Sequence, residues 1–168
     1  FLPVVHEFGM SWEIDRWVLD QTLRFIDQHR ESLPAARLSV NLFASTLCRP
    51  HLAREIDVLL KTYNVEPWQL IVEVEESHML SDFSWGNRSI NQLRYLGCRV
   101  AIDDFGTGYA SYTRLKEVQA DMLKIDGSFV RNILTSSLDY HIIESICCVA
   151  RLKRMKVVAE FVESEEIA

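Results

Sequence analysis

The hydrophobic positions of this chain alternate between two patterns. One is a short, nearly continuous apolar run rich in β-branched residues, which is typical of a strand buried in a parallel sheet. The other is an apolar stripe whose positions recur every three or four residues, which predicts an amphipathic helix. The runs that predict strands lie at residues 38–43, 70–74, 99–103, 122–125 and 156–160.

Helical stripes lie between these runs, near residues 51–63, 89–96, 113–118 and 140–154. A further stripe precedes the first run and extends from about residue 11 to residue 30. The predicted buried face of that first helix consists of Ile14, Trp17, Val18 and Phe25, widened by Leu19 and Ile26. Five βα units in succession predict an α/β fold with a parallel sheet.

Each predicted strand ends at or near a polar side chain: Asn41, Glu73, Asp103 with Asp104, Lys124, and Glu160. In a closed barrel the carboxyl ends of all strands meet at one rim, so these side chains would converge. In an open doubly wound sheet some of them would lie far from the ligand crevice. No Gly-x-Gly-x-x-Gly follows the first strand, which also disfavours a dinucleotide-binding fold. We therefore predict a TIM-like (β/α) barrel, with about five βα units in this sequence.

The predicted rim combines several carboxylates with one amide and one lysine. Oxygen ligands of this kind suit Mg²⁺ or Mn²⁺, whereas zinc prefers histidine or cysteine. A lysine on the same rim could hold a phosphate oxygen or the attacking water, and two divalent ions could clamp the entering and leaving oxygens of an in-line displacement. The donor set therefore predicts phosphoester hydrolysis.

Taken singly, the rim residues have simpler explanations. Asp103-Asp104 before Gly106 is also a turn signal, and a lone glutamate such as Glu73 could pair with an arginine. Their shared position at five successive strand ends favours one common site over independent surface roles. A different chemistry on the same rim would be an enolase-like barrel, in which carboxylates hold Mg²⁺ and Lys124 abstracts a proton.

The composition indicates what kind of protein contains such a site. With 168 residues and 48% hydrophobic content, the chain can bury a core. Its formal net charge of -6 argues against binding duplex nucleic acid, which needs a basic surface. No apolar run approaches the roughly 20 residues that span a bilayer, and the four cysteines show no paired spacing. We expect a cytoplasmic domain with reduced thiols, in which Cys147 and Cys148 pack within a helix.

Several sequence blocks resemble those of a known family. The most diagnostic pair is Asp103-Asp104-Phe105-Gly106-Thr107-Gly108-Tyr109 with Leu123-Lys124-Ile125-Asp126-Gly127-Ser128-Phe129-Val130. The others are Phe1-Leu2-Pro3-Val4, Val40-Asn41-Leu42, Val72-Glu73-Val74-Glu75-Glu76-Ser77 and Val158-Ala159-Glu160-Phe161-Val162-Glu163-Ser164. These blocks cover essentially the whole chain, and they are similar to the EAL domain phosphodiesterases of bacterial cyclic-di-GMP signalling.

The resemblance implies a TIM-like barrel that hydrolyses cyclic-di-GMP to linear pGpG with two Mg²⁺ or Mn²⁺ ions. Carried over to this sequence, it implies that Asn41, Glu73 and Asp103 ligate the first ion. Asp103 would bridge the two ions, Asp104 would ligate the second, and Glu160 would support the second directly or through water. These assignments make one rim of the barrel the expected active site.

The resemblance also implies roles for residues around the ions. Lys124 would orient or activate the water nucleophile, and Glu76 would steady the loop after Asp103-Asp104. Glu163 would be a further rim carboxylate near the ligand. The same loop would contribute to a homodimer, and sensor or GGDEF-type domains would accompany this domain in a parent protein that could be anchored at the inner membrane.

The chain departs from the family pattern in three places and leaves part of the pattern outside. Phe43 stands where serine is common, Glu75 where threonine is common, and Phe161 where glycine is common. The Glu-Ala-Leu motif and the first strand would lie upstream of Phe1 and the last strands beyond Ala168, so we expect residues 1–168 to be an EAL domain incomplete at both ends. A catalytically degenerate EAL domain that binds cyclic-di-GMP or a protein partner is the alternative function.

Overall fold

Five parallel strands form one sheet in the computed structural model, which describes residues 8–77, 83–107 and 112–167. The opening Phe1-Leu2-Pro3-Val4 block lies outside the described residues. The strands agree closely with the predicted runs: β1 (Leu38–Asn41), β2 (Leu70–Glu75), β3 (Arg99–Phe105), β4 (Met122–Ile125) and β5 (Lys156–Ala159).

Helices connect the strands, as the apolar stripes predict: α1 (Ser11–Gln28), α2 (Ala44–Leu47), α3 (Leu52–Thr62), α4 (Phe83–Leu96), α5 (Tyr112–Glu117), α6 (Gly127–Val130) and α7 (Ser137–Leu152). A 3₁₀ turn at Pro67–Gln69 leads into β2. The short helices α2 and α6 follow β1 and β4 almost at once and are too brief for a periodic stripe to predict. Within the described residues, no helix is long and apolar enough to cross a membrane.

The strands are hydrogen-bonded in the order β1-β2-β3-β4-β5, so each strand lies beside its predecessor in the chain. A doubly wound sheet reverses its strand order at a switch point, whereas a barrel adds each new strand on the same side. The described sheet contains no such reversal. All five carboxyl ends therefore lie at the same edge, as the barrel prediction requires.

The core lies between the outer face of the sheet and the helices. Val72, Val74 and Val100 are fully buried in the central strands, and they pack in one cluster with Leu19 of α1 and Ile56 of α3. Burial of a Val or Leu side chain contributes about 1.5–3 kcal/mol to the free energy of unfolding. The opposite face of the sheet carries the polar positions that were singled out from the sequence.

The predicted buried face of α1 is partly wrong. Trp17 is 63% exposed and Phe25 is 42% exposed, whereas Leu19, Leu23 and Ile26 are buried. The buried line begins with two polar residues, Ser11 and Asp15; Asp15 is 3% exposed and accepts a hydrogen bond from the Phe43 backbone N–H at 3.0 Å. A pattern of apolar positions alone therefore misses the true buried face, because polar residues are part of it.

The prediction for the paired cysteines of α7 is correct for one of them only. Cys147 is partly buried against the core, whereas Cys148 is exposed. Successive helical residues are about 100° apart around the axis, so the helix turns one of the two side chains away from the sheet.

Asp121 links the amino ends of the central strands. Its carboxylate accepts hydrogen bonds from Arg94 Nε at 3.2 Å, Arg99 at 3.0 Å and the Val100 backbone N–H at 3.0 Å. Burial alone would raise the pKa of Asp121, but the hydrogen bonds from Arg94 and the Val100 backbone outweigh it and lower the pKa. This group stabilises the end of the barrel opposite the polar rim.

We expect Asp121→Ala to lower the free energy of unfolding by about 2–3 kcal/mol at pH 7, because it removes charged hydrogen bonds and leaves a backbone N–H without its acceptor. The lowered pKa means that this stabilisation is present above pH 3.8 and is lost as the pH falls through the folded-state pKa below it. Urea unfolding of the full-length protein at pH 7 and near pH 3 measures both effects.

Asp57→Ala is the matched control. Asp57 pairs with Lys61 one helical turn away, and the Lys61 side chain is 74% exposed, so its loss should cost under about 0.5 kcal/mol. Equal losses for the two variants would refute the structural role assigned to Asp121.

Candidate active site

Three of the predicted rim carboxylates meet around the ammonium group of a fourth rim residue, Lys124. Lys124 Nζ lies 2.9 Å from Glu73 Oε2, 2.9 Å from Asp103 Oδ1 and 2.8 Å from Glu160 Oε1. These carboxylates come from β2, β3 and the residue after β5, and Lys124 comes from β4. The barrel thus assembles at one rim four side chains that are far apart in the sequence.

The surroundings of Lys124 favour its charged form. Burial alone would lower the pKa of Lys124, but hydrogen bonds to Glu160, Asp103 and Glu73 outweigh it, so the pKa is raised. The Lys124 side chain is only 15% exposed, and all three protons of its ammonium have an acceptor at hand. Without a bound metal ion, Lys124 is the cation that holds these carboxylates together.

A β-bulge places Asp103 and Asp104 beside Lys124. Ile102 pairs with Leu123 and Phe105 pairs with Ile125, so β3 has one residue more than β4 between the two pairs. Asp104 adopts φ +53°, in the left-handed region, and its backbone N–H donates to Asp103 Oδ1 at 3.0 Å. In a regular strand neighbouring side chains point to opposite faces; a bulge can re-aim one of them.

Asp103, Asp104 and Glu160 each offer one carboxylate oxygen within 4.8 Å of the others. Burial raises the pKa of Asp104, and the negative charges of Asp103, Asp126, Glu160 and Glu75 raise it further. The ammonium of Lys124 contacts three carboxylates, and Asp104 adds a fourth negative group beside two of them. A hard divalent cation with oxygen ligands would relieve this excess of negative charge, so the residues present fit such an ion.

Of the other predicted site residues, Asn41 and Glu76 lie near this centre and Glu163 does not. Asn41 is paired in register with Glu73, so the two side chains share a face of the sheet. Glu76 is 2% exposed, and its Oε2 accepts a hydrogen bond from the Gly106 backbone N–H at 2.8 Å. Glu163 does not join the carboxylate cluster: its side chain is 65% exposed and lies 4.0 Å from Arg131 Nε.

Gly106 explains how the chain leaves the bulge. It has φ +106°, and a Cβ at this position would lie 2.8 Å from Phe129 Cε2. Only glycine accommodates both the backbone angle and the close contact. Glu76 therefore anchors, through Gly106, the segment that follows the two aspartates, although residues 108–111 of the loop predicted to mediate dimerisation lie outside the described residues.

The role of Asp126 was missed in the sequence analysis. Asp126 directly follows β4, contributes to the raised pKa of Asp104, and caps α6 by accepting a hydrogen bond from the Ser128 backbone N–H at 2.8 Å. A carboxylate immediately after a buried strand was the available signal, the same signal that singled out Asp103.

The rim can bind divalent cations and, through them, an anionic substrate, and it lies apart from a groove on the outer surface of the helices. A groove of about 870 Å³ runs between α3 and α4 on the outer surface and is lined by residues such as Arg54, Asn87 and Tyr95. It contains none of the rim residues. The convergence of charged groups, rather than concavity, therefore identifies the candidate active site.

Comparison with known proteins shows the family of the chain. The EAL domain family profile matches residues 1–168. Over 167 residues the chain is 54% identical to cyclic di-GMP phosphodiesterase PdeF of Escherichia coli K12, covering 99% of the chain and 22% of PdeF. The chain therefore spans about a fifth of the length of this relative.

Solved structures give the same result. The MucR phosphodiesterase of Pseudomonas aeruginosa, in complex with c-di-GMP, aligns with a TM-score of 0.92 and 34% identity over 99% of this chain and 68% of that one. The FimX EAL domain from Pseudomonas aeruginosa bound to c-di-GMP aligns with a TM-score of 0.89 and 27% identity over 99% of this chain and 66% of that one. Because the profile spans the whole chain and the fold matches, this chain belongs to the EAL domain family, which has a TIM-like barrel.

Proposed function

We propose that this chain is the catalytic part of a metal-dependent phosphodiesterase that hydrolyses cyclic-di-GMP to linear pGpG. The observation that carries the proposal is the set of three carboxylates around Lys124, with Asp104 beside two of them, at the carboxyl ends of parallel strands. The sequence identity to PdeF and the structural similarity to MucR support cyclic-di-GMP as the substrate. In this reading, the hydrolysed bond is one phosphodiester of the cyclic dinucleotide.

Two Mg²⁺ or Mn²⁺ ions are the proposed cofactors. Asn41, Glu73 and Asp103 would hold one ion, Asp104 and Glu160 would hold the other, and Asp103 would be shared. Ions bound there acidify water and stabilise the charge that builds on a phosphodiester during in-line displacement. The carboxylates of this chain position the reacting groups, and the burial of Glu73 and Asp103 limits their motion.

Lys124 is proposed to orient the attacking water and to balance the charge of the rim. Its ammonium donates to three carboxylates at 2.8–2.9 Å, and a donor in this arrangement can direct a water or a phosphate oxygen toward the reacting bond. The same geometry argues against the enolase-like chemistry, in which Lys124 would have to accept a proton rather than donate one.

The proposed partners are the dinucleotide itself and further protein units. Dimerisation through the loop after Asp103-Asp104 and association with a GGDEF-type domain remain proposals for this chain. The relative MucR, named as a bifunctional diguanylate cyclase and phosphodiesterase, supports the second of them. We also propose that the domain works in the cytoplasm.

Binding of cyclic-di-GMP without cleavage is the second candidate function. It is motivated by a departure from the family pattern: Phe161, with φ +53°, stands where glycine is common, although Glu160 beside it still contacts Lys124 at 2.8 Å. Retained ligand binding without linear product, at saturating Mn²⁺, would distinguish this function from hydrolysis.

The first test substitutes Asp103 by Asn in the full-length protein. We expect turnover of cyclic-di-GMP with Mn²⁺ to fall by at least about 100-fold, because the amide keeps the shape of the side chain but lacks the charge that a shared metal ligand requires. Chromatography of the linear product over time measures the rate.

Asp57→Asn, which alters a partly exposed carboxylate on α3 that pairs with Lys61 and lies outside the rim, is the control and should hydrolyse at the parent rate. Unchanged turnover in Asp103→Asn would contradict the assignment of the rim as the active site. If the unsubstituted protein binds cyclic-di-GMP but forms no linear product, the result would indicate a receptor rather than a phosphodiesterase.

Metal binding should compensate for the loss of Lys124. In metal-free buffer at pH 7, Lys124→Met should lower the free energy of unfolding by about 2–4 kcal/mol, because it leaves Glu73, Asp103 and Glu160 without their cation. Saturating Mn²⁺ should stabilise this variant more than the parent. Urea unfolding with EDTA or with Mn²⁺ measures both quantities.

The pH dependence of the same variant gives a further check. Without Lys124 the carboxylates repel one another, and acid removes their negative charge, so the destabilisation should shrink as the pH falls. A loss of stability that is the same at all pH values and with or without Mn²⁺ would show that Lys124 acts by packing rather than by charge.

A further inference from the structure

Glu160 is the least constrained of the three carboxylates that contact Lys124. Glu73 and Asp103 belong to strands β2 and β3, and their side chains are 9% and 11% exposed, whereas Glu160 follows the last residue of β5 and its side chain is 24% exposed. Its backbone N–H donates to the Ile125 carbonyl at 3.4 Å, a long hydrogen bond. A second restraint is therefore needed to hold Glu160 beside Lys124.

The next residue, Phe161, turns away from the rim and packs on α6. A Cβ placed on Gly127 would overlap Phe161 Cδ2 and lie 2.7 Å from Cγ, so the ring occupies the space that any larger residue at position 127 would need. The Arg131 guanidinium covers the ring, with Cζ 3.9 Å from the ring centroid. The ring thus contacts the first residue of α6 and the residue that follows its last.

This packing links the end of β4, the strand that contains Lys124, to the end of β5, the strand that Glu160 follows. Helix α6 begins two residues after β4, and its first residue is the buried Gly127. Phe161 connects this helix to the end of β5. Its left-handed backbone, φ +53°, is unfavourable for a bulky side chain and persists only where the surroundings impose it.

We propose that Phe161 is a positioning residue whose ring, seated on Gly127 and covered by Arg131, fixes the Glu160 carboxylate for divalent metal binding. The proposal rests on the proposed function only in taking Glu160 as a metal ligand. A glycine at position 161 would adopt the same backbone angle without strain, but it would leave Glu160 without this anchor. In this chain the anchoring contact replaces the glycine that is common in the family.

The direct test measures Mn²⁺ binding to the full-length protein, by electron paramagnetic resonance of the free ion. Phe161→Gly should raise the Kd for Mn²⁺ about two- to fivefold, the factor that an exposed cation–π contact is worth. Phe161→Tyr keeps the ring and should bind as the parent does. Asn64→Gly replaces another left-handed residue, φ +49°, in the loop after α3, and should also leave the Kd unchanged.

A paired substitution tests whether the ring itself transmits the effect. Gly127→Ala should raise the Kd for Mn²⁺ in the parent because the new methyl group displaces the ring. It should have no further effect in the Phe161→Gly background, where the space is empty. An equal effect of Gly127→Ala in both backgrounds would overturn the proposal, as would parent-like Mn²⁺ binding by Phe161→Gly.

Hydrolysis of cyclic-di-GMP, followed in the same samples, separates this proposal from the proposed function. If the parent forms no linear product but Phe161→Gly still binds Mn²⁺ more weakly, the positioning role stands and the phosphodiesterase assignment fails. If the parent hydrolyses cyclic-di-GMP and Phe161→Gly binds Mn²⁺ as tightly as the parent, the positioning role fails and the phosphodiesterase assignment stands.

Discussion

The Lys124 ammonium is the interaction on which the rim depends. It contacts carboxylates from Glu73, Asp103 and Glu160, which three different parts of the sheet supply. Without a cation, these groups would repel one another in a partly buried site, and either their protonation or a local opening would relieve the repulsion. One charged side chain thus couples the stability of the barrel end to the preorganisation of a metal site.

The β-bulge in β3 is the second constraint, because it determines which carboxylates can act together. Regular alternation would direct Asp103 and Asp104 to opposite faces, but the extra residue and the left-handed Asp104 place both near Glu160. Glu76 and Gly106 hold the backbone that leaves the bulge. The strain of the bulge therefore lies beside the proposed metal ligands, where local backbone distortion commonly has a functional role.

Much of this arrangement follows from the sequence, since apolar runs locate the strands and the topology of a parallel barrel gathers their carboxyl ends. Asn41, Glu73, Asp103, Lys124 and Glu160 could be singled out on that basis alone. The buried face of α1 could not, because Asp15 occupies a buried position, where it accepts a hydrogen bond from the Phe43 backbone N–H. The contact of Phe161 with Gly127 was equally hidden, because it depends on a tertiary approach between α6 and the segment after β5 that no periodicity encodes.

The central claim is that the carboxylates gathered by Lys124 form a divalent metal site. Anomalous diffraction from crystals of the full-length protein grown with Mn²⁺ tests it most directly. The account predicts anomalous peaks at the rim, about 2.1 Å from oxygens of Asp103 and Asp104, with the contacts of Lys124 rearranged around the ions. Density confined to other surfaces, with Lys124 still bound to all three carboxylates, would contradict it.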